Sequence, residues 1–500
     1  MDHTARFKAM KLHQRPHRED FATFPFQETA RIQREKEIPK EKKKTSPLET
    51  PPKNNPNKAQ VPPKDNFYGC AFNPYAAPEE QQLVAICGAD GLHVYLIPED
   101  INRIKHVWGC TFDVCVNGKA AGLKSESLYT VTWAYDTYDA GKGRNPYKLV
   151  TGGTVGHIYV VDFATKNIDN KLRGFGSEIN EIRVSPANSN LVATASADES
   201  VRIHHIRNQA PLITIGGHRT FMGPVLSVDW HSNGNYIVTS GFDHQIMKWD
   251  LSVDPAKSWL EETCKKLEDG NKNVFYQDMH EENDKTVFNP PVGTKRLGVD
   301  SATEVVKEVI ANHHKPFDHF LELFTPAAIC SDLHGDYVDC IRMLPGSDLF
   351  ASKASGNDPH INISRFGVPK GIPEFKDRAP VLEPEMGQTT YQWFRNPSGE
   401  TWFTKFVIDP HRRWLVCSGS GGEVFFFDLK EDENIKKNQA SNKVVVTKFH
   451  AVRHLDFSPC GRFLIACTDD GIISRMDRLS SDIDPSKVIQ FRNHWTAPHK

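Results

Sequence analysis

Short apolar runs alternate with polar turn residues along most of this chain. The clearest stretch runs from Gly217 to Asp250, GHRTFMGPVLSVDWHSNGNYIVTSGFDHQIMKWD. Val225, Ser227 and Asp229 alternate with Leu226, Val228 and Trp230, the period of two that a strand imposes. Asn233-Gly234 supplies a turn. Tyr236–Ser240 reads as a second strand, Asp243-His244 as the next turn, and Ile246–Trp249 as a third strand. A Gly-His pair opens the stretch and a Trp-Asp pair closes it.

This grammar resembles a WD40 repeat, one blade of a β-propeller. The resemblance implies a polar pair between His218 and the turn residue Asp243. One blade cannot bury its own face, so the pattern must recur. The turn Asp returns at Asp90, Asp198 and Asp470, and apolar-Asp strand ends return at Val161-Asp162, Phe427-Asp428 and Met476-Asp477. Strands ending in an apolar residue, mostly a bulky one, recur at Phe72, Trp133, Val184, Trp230, Met343, Phe406 and Phe457. Seven such units predict an all-β, seven-bladed WD40 propeller over residues 65–485. The interval from Trp230 to Met343 is 113 residues, against 46 to 63 elsewhere. It predicts an insertion at 251–333, between blades four and five. Two helices are expected there. Asp254-Pro255 leads into Ser258–Glu268, and Ser301-x-x-Glu304 forms a capping box before Val305, Val306, Val309 and Ile310. Blades five and six are expected to begin with strands Tyr337–Met343 and Trp402–Phe406.

Composition separates the ends from this body. Residues 1–64 carry 15 Lys+Arg against 8 Asp+Glu and a cluster of prolines. They read as a disordered basic tail, because apolar residues are too sparse to offset ordering entropy. The run Lys40–Lys44 suits nuclear import or a nucleic-acid contact as well as simple solvation. Residues 486–500 read as a C-terminal tail. Residues just before Phe67 are the expected candidates for a strand closing the ring. The ten cysteines are scattered without a C-x-x-C pair, which points to a reducing compartment and away from a zinc site. No apolar run approaches 18 residues and no apolar leader opens the chain, so neither a membrane span nor a signal peptide is expected.

The chemistry concentrates at the mouth of the channel. The residues four positions before each strand-ending marker are Tyr68, Tyr129, Asn180, Leu226, Asp339, Trp402 and Arg453. Three are aromatic, and Phe403 adds a fourth ring beside Trp402. Blades six, seven, one and two are neighbours, so these rings can converge. Aromatic faces stabilise a quaternary ammonium, whose methyls need no hydrogen bonds. Packing between blades is the competing use of the same rings.

Several stretches resemble the EED / extra sex combs subunit of Polycomb repressive complex 2. They are Ser127–Trp133, Tyr337–Cys340, Gly241–Trp249, Ala466–Arg478 and Trp402 with its aromatic neighbour. The resemblance implies a reader of trimethyl-lysine on histone H3 tails, with Tyr68, Tyr129, Trp402 and Phe403 as the cage and Arg453 as a peptide contact. It also implies a Polycomb-group scaffold in the nucleus that holds and stimulates an enhancer-of-zeste-type methyltransferase for transcriptional repression. Tyr68 and Phe403 each differ from the family's usual residue by a hydroxyl, and the long insertion departs from its pattern.

Catalysis finds no motif: G-x-S-x-G, H-E-x-x-H, a P-loop and a helix-opening G-x-G-x-x-G are all missing. No cofactor or metal is expected, nor a membrane partner or sequence-specific nucleic-acid binding. Two other readings stay open. A general WD40 adaptor, such as a ubiquitin-ligase substrate receptor, predicts a charged rim. A propeller enzyme needs acids or metal ligands clustered at the channel.

Overall fold

Period-two alternation fades in the middle of each blade, and the packing explains why. Second strands such as Leu191–Ser196, Trp414–Ser418 and Phe463–Thr468 are buried at every position. Neighbouring blades cover both of their faces, so both faces are free of charge. Outer strands alternate again, as Asn442–Val445 does. The computed structural model describes residues 7–9 and 26–34, most of 66–270, 286–289, and most of 320–478.

Among the described residues, seven sheets of at least four strands form the propeller, antiparallel except for a parallel outermost strand in blades three and four. Their inner strands are Phe67–Phe72, Leu128–Tyr135, Ile179–Val184, Val225–Trp230, Cys340–Met343, Phe406–Ile408 and Val452–Phe457. Side chains stitch inner strands of neighbouring blades together. Phe72 N donates to Asp456 at 2.7 Å, Ile182 N to Thr130 Oγ1 at 3.0 Å, and Met343 N to Asp229 at 2.8 Å. The indoles of Trp133 and Trp230 donate to the carbonyls of Ala71 and Arg183 in the preceding blades, both at 2.9 Å.

The ring is closed by a segment from inside the basic tail. Phe26–Arg34 pairs antiparallel with Ile472–Arg478 as the outer strand of blade seven, and Phe7–Ala9 pairs with it in turn. The expectation of disorder therefore fails for these strands, and the closing strand lies further upstream than the residues before Phe67. Phe26, Ala30 and Ile32 are buried. Phe26 stacks on Phe426 at 5.1 Å, and Thr29 Oγ1 donates to Asp477 at 2.9 Å. Nine residues with three core contacts were diluted by their charged surroundings, and the faces that cover them come from the other end of the chain.

The insertion lies within blade four, a correction to its expected place between blades. The third strand is Ile246–Asp250 and the fourth is Ala328–Cys330. The first expected helix is present as Ala256–Glu268. It buries Ala256, Thr263, Cys264 and Leu267, and Trp259 Nε1 donates to the Leu212 carbonyl at 2.8 Å. Glu268 accepts from Asn188 at 3.0 Å. Further on, Thr286–Asn289 extends blade one and Leu321–Leu323 extends blade three. The capping box at Ser301 lies outside the described residues. The Gly- and Asp-rich loop after Tyr135 holds a short helix, Thr137–Gly141, capped by Asp136.

Candidate functional site

The aligned rim positions share a backbone feature that their spacing did not reveal. In five blades the inner strand carries a β-bulge at its start. The register skips Tyr68, Tyr129, Asn180, Leu226 and Arg453. A bulge residue is left unpaired, and its side chain is re-aimed. The bulges are packed tightly from behind. A Cβ on Gly88 would lie 2.0 Å from the Asn66 carbonyl oxygen, and one on Gly153 would lie 1.9 Å from that of Ser127.

Four rings converge. Tyr68 and Tyr129 meet edge to face with centroids 5.4 Å apart. Tyr129 and Phe403 are 5.7 Å apart, and Phe403 and Trp402 are 5.9 Å apart. Phe403 is buried, whereas Trp402 is 54% exposed. Asn66 Nδ2 donates to the Tyr68 hydroxyl at 3.2 Å. Burial, aided by Glu178 and Tyr68, pushes the Tyr129 phenol up to about 12, so it is a neutral ring at physiological pH.

Blades five and six depart from the expected strands. The first begins only at Cys340 and the second only at Phe406. Phe403 has φ +59°, a left-handed conformation that breaks a strand and costs roughly 1–3 kcal/mol. Side chains take over where the ladder stops. Phe403 N donates to Asp339 Oδ2 at 2.8 Å, and the other carboxylate oxygen pairs with Lys353 at 2.8 Å, both side chains fully buried. Arg453 pairs through Nε and Nη2 with both oxygens of Asp469, at 2.6 and 2.8 Å. Its Nη1 donates to the Trp402 carbonyl at 2.8 Å. Arg453 thus fixes the backbone at Trp402.

Below the rings lies a buried charge network. Glu181 binds Arg342 at 2.5 Å, with Arg183 at 3.5 Å and Lys405 at 3.8 Å, and accepts from the Ser227 hydroxyl. Burial works against ionisation of Glu181, but these cations outweigh it and hold the carboxyl well below the usual range. Lys405 Nζ also donates to the Asp339 carbonyl at 2.6 Å and lies 4.9 Å from the Phe403 ring centroid.

The sequence alone shows Asp339 as the one acid among the aligned rim positions, without its role. It missed Lys405 and Asp469, because nothing in their local pattern distinguishes them from other blade residues. Asp90 and His218 lie outside the described residues. Asp243 accepts from Gln245 N and Met222 N, and Trp249 Nε1 donates to Thr239 Oγ1 at 3.0 Å. A polar pair of the expected kind does occur in blade five. His334 there contacts Asp358 at 3.1 Å and Ser352 at 2.8 Å.

Asp136, Asp139 and Asp169 bring carboxylate oxygens together away from the rim. Their charge is already met: Lys148 contacts Asp139 and Asp169, and Arg207 contacts Asp136. The adjacent His204 and His205 are buried, and burial lowers both to about 3, so they are neutral.

The WD40 family model (WD domain, G-beta repeat) matches residues 209–250 and 442–474. The chain is 42% identical to the Polycomb protein mes-6 of Caenorhabditis elegans, over 98% of this chain and all of that protein. It is 24% identical to the Polycomb protein esc of Drosophila melanogaster, over 83% of this chain and 81% of that protein. Among solved structures, a chain of the Chaetomium thermophilum Polycomb repressive complex 2 crystal structure superposes with a TM-score of 0.58. It shares 16% identity and covers 83% of this chain and 93% of that one, a likeness of fold. A chain from the complex with H3K27me3 and H3K27M gives the same TM-score at 15% identity, covering 83% of this chain and 94% of that one. Rim, ring and near-complete alignment to a Polycomb protein lead to one conclusion: the chain belongs to the EED / extra sex combs family of Polycomb-group WD40 scaffold proteins.

Proposed function

We propose that this protein is a non-catalytic histone-mark reader in the nucleus, and that Tyr68, Tyr129, Trp402 and Phe403 enclose one trimethyl-ammonium of a histone H3 tail. The observation that carries the reading is the meeting of four rings from blades one, two and six, with consecutive centroids 5.4 to 5.9 Å apart. A trimethyl-ammonium presents a diffuse charge and apolar methyls, so ring faces suit it better than they suit a lysine ammonium, which loses its donors there. The solved complex of fold-related chains with H3K27me3 supports the choice of ligand. Arg453 serves the site by fixing the Trp402 backbone and stands beside the peptide path.

The scaffold holds an enhancer-of-zeste-type methyltransferase at a surface away from the cage. Peptide at the rim then stimulates that enzyme, which requires the peptide to prefer the active state of the complex. A titration of matched H3 peptides, trimethylated and unmodified, tests the cage. Equal affinities would return these rings to inter-blade packing. Co-purification of the methyltransferase is expected to survive Trp402→Ala, and its loss would put the two sites on one surface.

A further inference from the structure

One wall of the cage already faces a cation that belongs to the chain. Lys405 Nζ lies 4.9 Å from the centroid of the Phe403 ring. Its side chain is only 2% exposed. Hydrogen bonds to the carbonyls of Asp339 and Leu226, at 2.6 and 3.4 Å, hold the ammonium there. Glu181 stands 3.8 Å away, but that carboxylate also serves Arg342 at 2.5 Å and Arg183 at 3.5 Å. Glu181 is thus shared among three cations, of which Arg183 also has Asp229 at 4.0 Å, and it sits beyond hydrogen-bond distance of Lys405, so the positive charge beneath Phe403 is only partly offset.

We propose that Lys405 is a specificity-determining residue of the cage, whose buried charge sets how strongly the site prefers a cation over an uncharged group of the same shape. The proposal rests on the reading that the four rings bind a trimethyl-ammonium. A ring quadrupole that faces a fixed cation attracts a second one less, and the two charges repel through a weakly screening interior. The methyl groups and their burial are unaffected. The native cage therefore selects by shape and apolar contact as well as by charge. Removing the Lys405 charge shifts selection toward charge. Glu181 stays ionised in that case, because Arg342 and Arg183 remain on it.

The test uses the full chain and three H3 peptides: one with trimethyl-lysine, one with the neutral analogue carrying C(CH3)3 in place of the trimethyl-ammonium, and one unmodified. The measured quantity is the ratio of neutral-analogue Kd to trimethyl-lysine Kd. K405M is expected to raise this ratio about threefold or more, and K405R is expected to leave it near the native value. A K405M variant that weakens both ligands equally would make Lys405 a packing residue and overturn the proposal. The native protein supplies a measurement that needs no variant. There the trimethyl peptide is expected to exceed its neutral analogue by less than about tenfold, and a hundredfold preference would also overturn it. If native protein binds trimethylated and unmodified peptides alike, the cage itself fails, an outcome distinct from a changed ratio.

Discussion

Tyr68 and Tyr129 stand on strands, whereas Trp402 and Phe403 stand on a segment that has left its strand. In the first pair, bulges on regular inner strands turn the rings toward the rim, and the ladder resumes one residue later. In the second pair no ladder exists until Phe406. Asp339, Lys353, Lys405, Arg453 and Asp469 hold that segment by charged hydrogen bonds instead. The two halves of the proposed cage therefore depend on different physics. Ladder hydrogen bonds are indifferent to side-chain identity, whereas the blade-six half depends on particular acids and bases.

The sharpest way to break this comparison is Asp339→Ala. It leaves Lys353 charged and unpaired in a fully buried position, and Phe403 loses its acceptor. A destabilisation of about 3–5 kcal/mol is expected, measurable by denaturant unfolding, together with loss of trimethyl-peptide binding. Near-native stability would mean that the blade-six segment is held by something other than this carboxylate.

Trp402→Ala removes a ring that is half exposed and supports little of the core. It is expected to weaken trimethyl-peptide binding roughly tenfold, about 1.4 kcal/mol, with the unfolding midpoint unchanged. A large fall in stability would make Trp402 a packing residue.

Arg453→Ala separates two roles. If the guanidinium acts mainly through the Trp402 carbonyl, the variant loses about threefold in affinity for trimethylated peptide, and residual binding of unmodified peptide is unchanged. An equal loss for both peptides would make direct peptide contact its main role.

The smallest effect concerns the strand side of the ring. Burial pushes the Asp456 carboxyl up to about 6, against the smaller opposing pull of the Phe72 N–H. A carboxyl raised above its unfolded value of 3.8 contributes stability that is fully present below that value and is lost as pH rises through about 6. Asp456→Asn keeps an acceptor for Phe72 and removes the titration. The variant's stability is expected to be flatter than the native protein's between pH 4 and pH 6, read from urea midpoints. Identical slopes would assign the pH dependence to other groups.

Much of this architecture was readable from local pattern. Gly217–Asp250 displays its strands and turns in order, and the other blades repeat enough of that grammar to be counted. Alignment of the repeats also brought Tyr68, Tyr129 and Trp402 to one rim, because equivalent positions in a ring of like units share an end of the channel. The strand Phe26–Arg34 was not legible. Its partners lie more than 400 residues away, and an outer strand acquires its buried face only when the ring closes.

The sequence by itself therefore determined the repeat, the number of blades, the helix at Ala256–Glu268 and which aromatic residues come together. All of these depend on neighbours in the chain or on periodic recurrence. Only the tertiary structure decided which segment closes the ring, where the insertion sits, and why Trp402 and Phe403 leave their strand. Those outcomes rest on pairings such as Asp339 with Phe403 and Glu181 with Arg342. A buried charge is tolerable only beside its partner, and partners drawn from different blades have no spacing in the sequence that could announce them.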